Sequence, residues 1–150
     1  GLDKNGIEYS FVSLHVGLGT CQPIYSESIE EHKIHREDFF IGESEAGKIN
    51  NGINSGEKII PVGTTSLRTL EAACTGGMVN SGAGATEIYI YPPYRFKIAS
   101  GLFTNFHTPK SSLAVLVSAL LGVEKLLEIY DYAVKEKYRF FSYGDAMLVL

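Results

Sequence analysis

The chain has 150 residues, 45% hydrophobic and 20% charged, with 8 Phe and 9 Tyr, which is enough apolar length to bury a core and excludes a disordered chain. A formal net charge of −4 argues against a generally basic nucleic-acid-binding surface and leaves room only for a local basic stripe. The two cysteines, Cys21 and Cys74, form no CxxC pair, which excludes a zinc ribbon or disulfide framework and suits a reducing cytoplasm.

Residues 8–16, EYSFVSLHV, read as a strand, and GLGTCQP after it as a loop in which Pro23 discourages a helix. With its opening at Gly1, directly on a turn and a strand, the chain is expected to be a fragment of a longer protein. SIEEHKIHRE leaves two readings open, a short helical turn near Ser28 and an extended segment over residues 33–41. Residues 44–54 predict a helix with Ser44 as N-cap, Ile49 and Ile53 on one face and Gly56 closing it. KIIPVG reads as a short buried strand. TTSLRTLEAACTGG is a helix with Leu67, Leu70 and Cys74 on one face, ended by Gly76 and Gly77. MVNSGAGAT has the composition of a flexible loop. EIYIY is a strand stopped by Pro92 and Pro93, and FKIASGLFTNF holds one or two more. HTPKSSLAVLVSALLG predicts a helix with Thr108 as N-cap and Pro109 at its first position. Its apolar run is too short to span a bilayer and reads as a central, buried helix. VEKLLEIYDYAVKEKYRF is amphipathic, with a stripe of Leu126, Leu127, Tyr130, Ala133 and Val134, and FSYGDAMLVL returns to a turn and a strand.

Helices alternate with strands, which predicts an α/β architecture with a layered, mixed or parallel sheet flanked by helices, in one domain over residues 1–150. In such sheets ligands lie beyond the carboxyl ends of the strands, where HVGLGT, VGTTS, YPPY and TNFHTP fall. GLGT is not a dinucleotide fingerprint: the third glycine is replaced by Gln22 and Pro23 follows, so Gly17 and Gly19 serve a turn. Thr64, Thr65 and Ser66 open a helix, where free N–H groups and the helix dipole suit an anion; simple capping is the bland alternative. Of the histidines, His32 and His35 stand beside Glu30 and Glu31 but lack the HExxH arrangement, so no metal is expected. Acid–base and purely structural roles are both open for His15, His32, His35 and His107. The aromatics of EKYRFFSYGDA either close the core or, with Lys135, Lys137 and Arg139, stack on and neutralise a nucleic acid.

HVGLGTCQP, EEHKIHRE, VGTTSLRTLEAA and TNFHTPKSSLAVLVSALLG occur in this order ahead of KYRFFSYGDAML. Together they closely resemble the S-adenosylmethionine:tRNA ribosyltransferase-isomerase family of queuosine biosynthesis. The resemblance implies that this chain is the C-terminal part of an α/β domain, in a protein about twice as long that carries an inserted β-barrel domain. Two departures stand out, Pro93 where the family has Gly and Cys21 where an aromatic is common. The implied reaction transfers and isomerises the ribosyl part of S-adenosylmethionine onto 7-aminomethyl-7-deazaguanine, at the wobble position of tRNAs with a GUN anticodon. The product is epoxyqueuosine, and adenine and methionine leave.

Under that resemblance the expected proton-transfer residues are His15 and His107, then His32 and His35 with Glu31 orienting a ring. His107, ahead of a helix N-terminus, is expected to have a lowered pKa. Gly17, Gly19 and Thr20 bend past the substrate; Thr64, Thr65 and Ser66, with Arg68, hold the methionine carboxylate or a phosphate; Tyr143 and Asp145 hold a base edge or ribose, and Asn105 is a further substrate-binding residue. Lys135, Lys137 and Arg139 face the tRNA backbone. S-adenosylmethionine is the co-substrate, with no prosthetic group and no metal. A cytoplasmic monomer without membrane association, inactive as a fragment, is expected. The alternative from the residues alone is a non-catalytic α/β module that binds a small molecule at the GTTS turn.

Overall fold

The computed structural model describes residues 1–17, 24 and 28–150. The strand expected over residues 8–16 contracts to β1 (Ser13–Leu14), because only these two residues pair, antiparallel, with Phe40 and Phe39 of β2 (Glu37–Ile41). Between them the two readings of the SIEEHKIHRE stretch both hold, in succession. The Ser28 side chain accepts from the Glu30 N–H and caps one 3-10 turn, Ile29–Glu31, and the chain then extends into β2.

Helix α1 (Glu43–Asn54) starts from Gly42, not Ser44, without a side-chain cap; Glu43 and Glu45 put negative charge at its positive end instead. Ala46 and Ile49 turn inward. Helix α2 (Thr64–Ala73) is followed not by a glycine cap but by a hairpin. β3 (Cys74–Thr75) pairs with β4 (Met78–Val79) across Gly76 and Gly77, whose φ of +61° and +80° suit a two-residue hairpin turn. The segment expected as a loop then becomes β5 (Gly82–Thr86), antiparallel to β2, giving the order β1-β2-β5. Gly84 has a packing reason. A Cβ at Gly84 would lie 2.4 Å from Cζ of Phe39, its partner across the ladder, so the ring fills the space a side chain would take.

EIYIY forms no strand, although Ile90 is buried. KIIPVG makes two isolated parallel bridges, Ile59 to Ala99 and Val62 to Phe103, and Val62 is exposed, so the buried strand expected there does not form. Pro61 has no N–H to extend the ladder, though its carbonyl accepts from Phe103 N. β6 (Leu102–Asn105) pairs antiparallel with β7 (Ala146–Val149). The α/β class holds with mixed pairing: named strands run antiparallel to their partners, and the bridges are parallel.

Helix α3 (Ser112–Leu121) starts later than Thr108 and Pro109 suggest, because Ser111 Oγ, 3.1 Å from Ala114 N, is the side chain that caps it. Helix α4 (Val123–Lys135) buries Leu126 and Ala133, while Leu127 and Val134 face solvent, so its stripe is narrower than the sequence pattern. Two apolar clusters result. Leu67, Leu102, Leu116, Val117, Leu126 and Val149 join α2, α3, α4 and the β6–β7 pair. Ile41, Ala46, Ile49, Leu70, Ala73 and Val79 join β2, α1, α2 and β4. Each fully buried Leu or Ile contributes about 1.5–3 kcal/mol. Helix α2 carries residues of both clusters and is the element that positions the polar groups between them.

Candidate functional site

Arg68 lies on α2 between Leu67 and Leu70, and the burial of both clusters carries its side chain inward, to 3% exposure. Its partner is Glu37 on β2, 1% exposed, with Nη1 2.6 Å from Oε2. The other oxygen of Glu37 accepts from Gly17 N–H at 2.9 Å, and Arg68 Nε donates to the Ile88 carbonyl at 3.3 Å. Arg68 was expected to hold a substrate anion; in the structure Nη1 and Nε are held within the fold, because a buried guanidinium needs a countercharge, and Nη2 is the donor left over. Nη2 of Arg68, the hydroxyl of Tyr89 and Nε2 of His32 are buried with no hydrogen-bond partner among the described residues. The rings of His32 and Tyr89 meet edge to face at 5.2 Å, and Arg68 and Tyr89 line one small cleft with Ile34, Ile90, Leu113 and Leu116. Burial raises the Tyr89 pKa, with Glu30 and Tyr91 adding to the rise, so the hydroxyl keeps its proton and can donate. The cleft has room for about one water-sized hydrogen-bond acceptor against its apolar walls.

His15, exposed, continues the β1 pairing by donating its N–H to the Asp38 carbonyl at 2.8 Å, two residues before Gly17 reaches Glu37. Gly19 and Thr20 lie outside the described residues. His35 and Glu31 are exposed, and among the described residues no hydrogen bond joins Glu31 to His32 or His35. None of Thr64, Thr65 and Ser66 caps α2: the N-cap is Gly63 without a side-chain bond, Thr64 is buried, and the other two are half-buried.

The second polar group gathers where β6 ends. Thr104 Oγ1 lies 2.9 Å from His107 Nε2, and the His107 N–H donates to the Tyr130 hydroxyl at 2.9 Å. The pKa of His107 is lowered to about 4, as expected in direction. The cause is burial and not the helix dipole, since α3 starts only at Ser112. Asn105 Nδ2 donates to the carbonyls of Gly144 and Asp145 at 3.4 and 3.3 Å. Asp145 accepts from Arg139 N at 2.7 Å and from Arg139 Nη2 at 3.0 Å. These hydrogen bonds hold the Asp145 carboxyl below its ordinary pKa and the Arg139 guanidinium above its own. Asn105, Arg139 and Asp145 thus close the loop over residues 139–145 on itself. Lys135 ends α4 and Lys137 follows it, both exposed. The core-closing reading of the aromatics holds for Phe140, which packs on Phe106 at 5.3 Å and Tyr130 at 5.5 Å, while Phe141 and Tyr143 are exposed.

Two buried acids escaped the sequence reading. Glu37 shares a strand face with Phe39 and Ile41, and an acid on an otherwise apolar period-two face is the signal that finds it. Glu71, fully buried on α2, accepts from the backbone N–H groups of Lys97, Ile98 and Ala99 and from the Tyr94 hydroxyl. Burial and the Glu71 charge push the Tyr94 pKa up. Among the described residues no group of three or more His, Cys, Asp or Glu is gathered as a metal would need, and no helix is long and apolar enough to cross a membrane.

The profile of the Queuosine biosynthesis protein family matches residues 1–149. The chain belongs to the queuosine biosynthesis protein family. It is 53% identical over 149 residues to the S-adenosylmethionine:tRNA ribosyltransferase-isomerase of Acetivibrio thermocellus, covering 99% of this chain and 44% of that protein. It is also 53% identical over 147 residues to the protein of the same name from Treponema denticola, covering 97% of this chain and 42% of that one. The crystal structure of S-adenosylmethionine tRNA ribosyltransferase from Thermotoga maritima superposes with a TM-score of 0.81 at 39% identity, covering 99% of this chain and 47% of that one. The chain therefore spans less than half the length of these relatives.

The motifs that carried the resemblance have separate duties in this queuosine biosynthesis protein. In GTTSLRTLE, Arg68 reaches β2 through Glu37 and Glu71 gathers the amides of residues 97–99. In YRFFSYGDAM, Phe140 anchors the loop, Asp145 closes it, and Tyr143 stands free of both.

Proposed function

We propose that the protein carrying this sequence is an S-adenosylmethionine:tRNA ribosyltransferase-isomerase. It moves and isomerises the ribosyl part of S-adenosylmethionine onto 7-aminomethyl-7-deazaguanine at the wobble position of tRNAs with a GUN anticodon. The observation that carries this reading is the 53% identity to proteins of that name over 149 residues. Arg68 and Tyr89, which line one small cleft and each carry a buried donor without a partner among the described residues, are compatible with it. The protein works in the cytoplasm as a monomer, with S-adenosylmethionine as co-substrate and no prosthetic group.

Ribosyl transfer needs a proton acceptor, a proton donor for the leaving adenine, and polar groups for the substrate hydroxyls and carboxylate. His15, exposed at the end of β1, is the first candidate for proton transfer. His107 is a neutral imidazole at pH 7 and is the second, oriented by Thr104. His32 acts beside Tyr89, and the exposed His35 and Glu31 follow. Thr65, Ser66 and the Arg68 Nη2 group take substrate oxygens, and Lys135, Lys137 and Arg139 face the tRNA backbone.

The test is made in a chain extended to the length of its relatives, with S-adenosylmethionine and tRNA bearing the deazaguanine base. Adenine release with epoxyqueuosine formation is expected. Tyr89→Phe, which keeps the ring and removes the unpaired hydroxyl, should lower kcat/KM about tenfold. A folded wild-type chain that binds both substrates but releases no adenine overturns the proposal.

A further inference from the structure

We propose that the turn over residues 141–144 is a preorganised stacking platform for unpaired RNA bases, with Tyr143 and Phe141 as its faces. The inference rests on the tRNA-modifying reading and names where the anticodon loop is gripped.

Tyr143 is 97% exposed and Phe141 65% exposed, while the neighbouring Phe140 is packed on Phe106 and Tyr130. Single exposed aromatics are ordinary; two on one four-residue turn held as tightly as this are not. Gly144 N–H donates to the Phe141 carbonyl at 2.9 Å, Asp145 N–H to Arg139 O at 2.8 Å, and Phe141 N–H to Phe106 O at 3.0 Å. Asn105 adds its amide from β6, and the Asp145 carboxylate binds both the backbone and the guanidinium of Arg139. At Gly144 a Cβ would sit 2.4 Å from Arg139 O, so the loop closes only around glycine.

This closure holds Phe141 at a φ of +69°, a conformation that bulky side chains rarely adopt. The strain persists because the surrounding bonds over-determine it, which is the pattern of a functional site. The Phe141 ring is exposed, whereas that of Phe140 packs on Phe106 and Tyr130. The backbone that carries Phe141 and Tyr143 is fixed by these hydrogen bonds before binding, so the turn itself need not be ordered by the RNA.

The charges nearby choose the partner. Residues 135–145 carry Lys135, Lys137 and Arg139 against Glu136 and Asp145; Arg139 and Asp145 pair with each other, which leaves the two lysines against Glu136. On a chain of net charge −4 this is a local cationic excess beside two free π faces. Aromatic faces flanked by cations bind single-stranded RNA, with rings stacking on splayed bases and cations following the phosphates. A duplex stem keeps its bases stacked on each other and offers no such face.

The test uses a chain extended to the length of its relatives and an anticodon stem-loop RNA. Tyr143→Ala should weaken stem-loop binding about tenfold without changing the dependence of log Kd on log salt, because stacking releases no counterions. Tyr143→Phe should restore wild-type affinity. Phe141→Asn, which tolerates the positive φ and so preserves the turn, should also weaken binding about tenfold. Tyr143→Trp should show fluorescence quenched by the stem-loop and not by a blunt duplex of the same stem. Wild-type affinity in both Tyr143→Ala and Phe141→Asn overturns the proposal. So does a Trp at position 143 already shielded from acrylamide in the absence of RNA, which would mean that protein covers this face. If adenine is released while Tyr143→Ala and Phe141→Asn both bind RNA normally, the platform fails and the enzymatic reading stands. If no adenine is released but stem-loop affinity depends on Tyr143, the enzymatic reading fails and the platform stands.

Discussion

The imidazole of His107 meets Thr104 Oγ1 through Nε2, while the backbone N–H of His107 donates to the Tyr130 hydroxyl; the ring lies largely out of water, and that burial lowers its pKa from 6.5 to about 4. The unfolded chain binds a proton at this residue below pH 6.5 that the folded chain refuses until about pH 4. Stability from this group is therefore complete above pH 6.5 and falls as the pH drops toward 4, by at most about 3 kcal/mol. Urea unfolding at pH 7 and pH 5 measures it. The wild-type chain should lose more stability between these values than His107→Gln does, and an equal loss in both would place the ring in water. At this scale the sequence reading found the residue and the direction of its shift but not the cause. The direction follows from any poorly solvated imidazole. The cause depends on where α3 begins, which the competition between Thr108 and Ser111 as caps decides. Arg68 was equally visible and its partner was not: Glu37 stands on a different element, and a long-range ion pair leaves no local pattern.

At the scale of elements, the helices were legible because their apolar spacing survives whatever caps them. Cap choice moved their ends: Gly42 replaced Ser44, and Ser111 replaced Thr108. The strands were not legible where pairing, and not propensity, makes them. GAGAT has no β-branched residue before its last position, yet it forms a full strand against β2. The Phe39 ring supplies the bulk that the strand itself lacks. Gly84→Ala should then push that ring off the strand and destabilise the chain by about 1–3 kcal/mol, read as a lower Tm. Phe39→Leu combined with Gly84→Ala should recover part of the loss, because a shorter side chain leaves room for the methyl. If Gly84→Ala raises Tm, as relief of glycine entropy alone would do, the cross-strand contact is not what selects glycine here.

Across the whole molecule, the alternation of helix and strand and the motif blocks were enough to reach the α/β class and the family. The pairing of strands was not, since a single sequence does not state which segments meet. One consequence of that pairing is a row of apolar side chains. Phe103 and Leu148 are register partners on β6 and β7, and Val62 bridges to Phe103, so all three project from the same face, and all are exposed. Such a row offers a surface to hydrophobic probes. Replacing both Phe103 and Leu148 with Ser should lower the fluorescence of bound anilinonaphthalene sulfonate on the 150-residue chain. Because both side chains already face water, what is lost is mainly their cross-strand contact, about 0.2–1 kcal/mol, so Tm should fall by only a few degrees. A large drop in Tm with unchanged dye binding would mean that the two side chains are packed and that the dye reports another surface. In a chain extended to the length of its relatives, the same double replacement separates two cases. A face still open to water should behave as in the 150-residue chain. A face covered by further polypeptide should bind little dye before the replacement and lose far more stability on it, because two buried apolar side chains are then exchanged for hydroxyls.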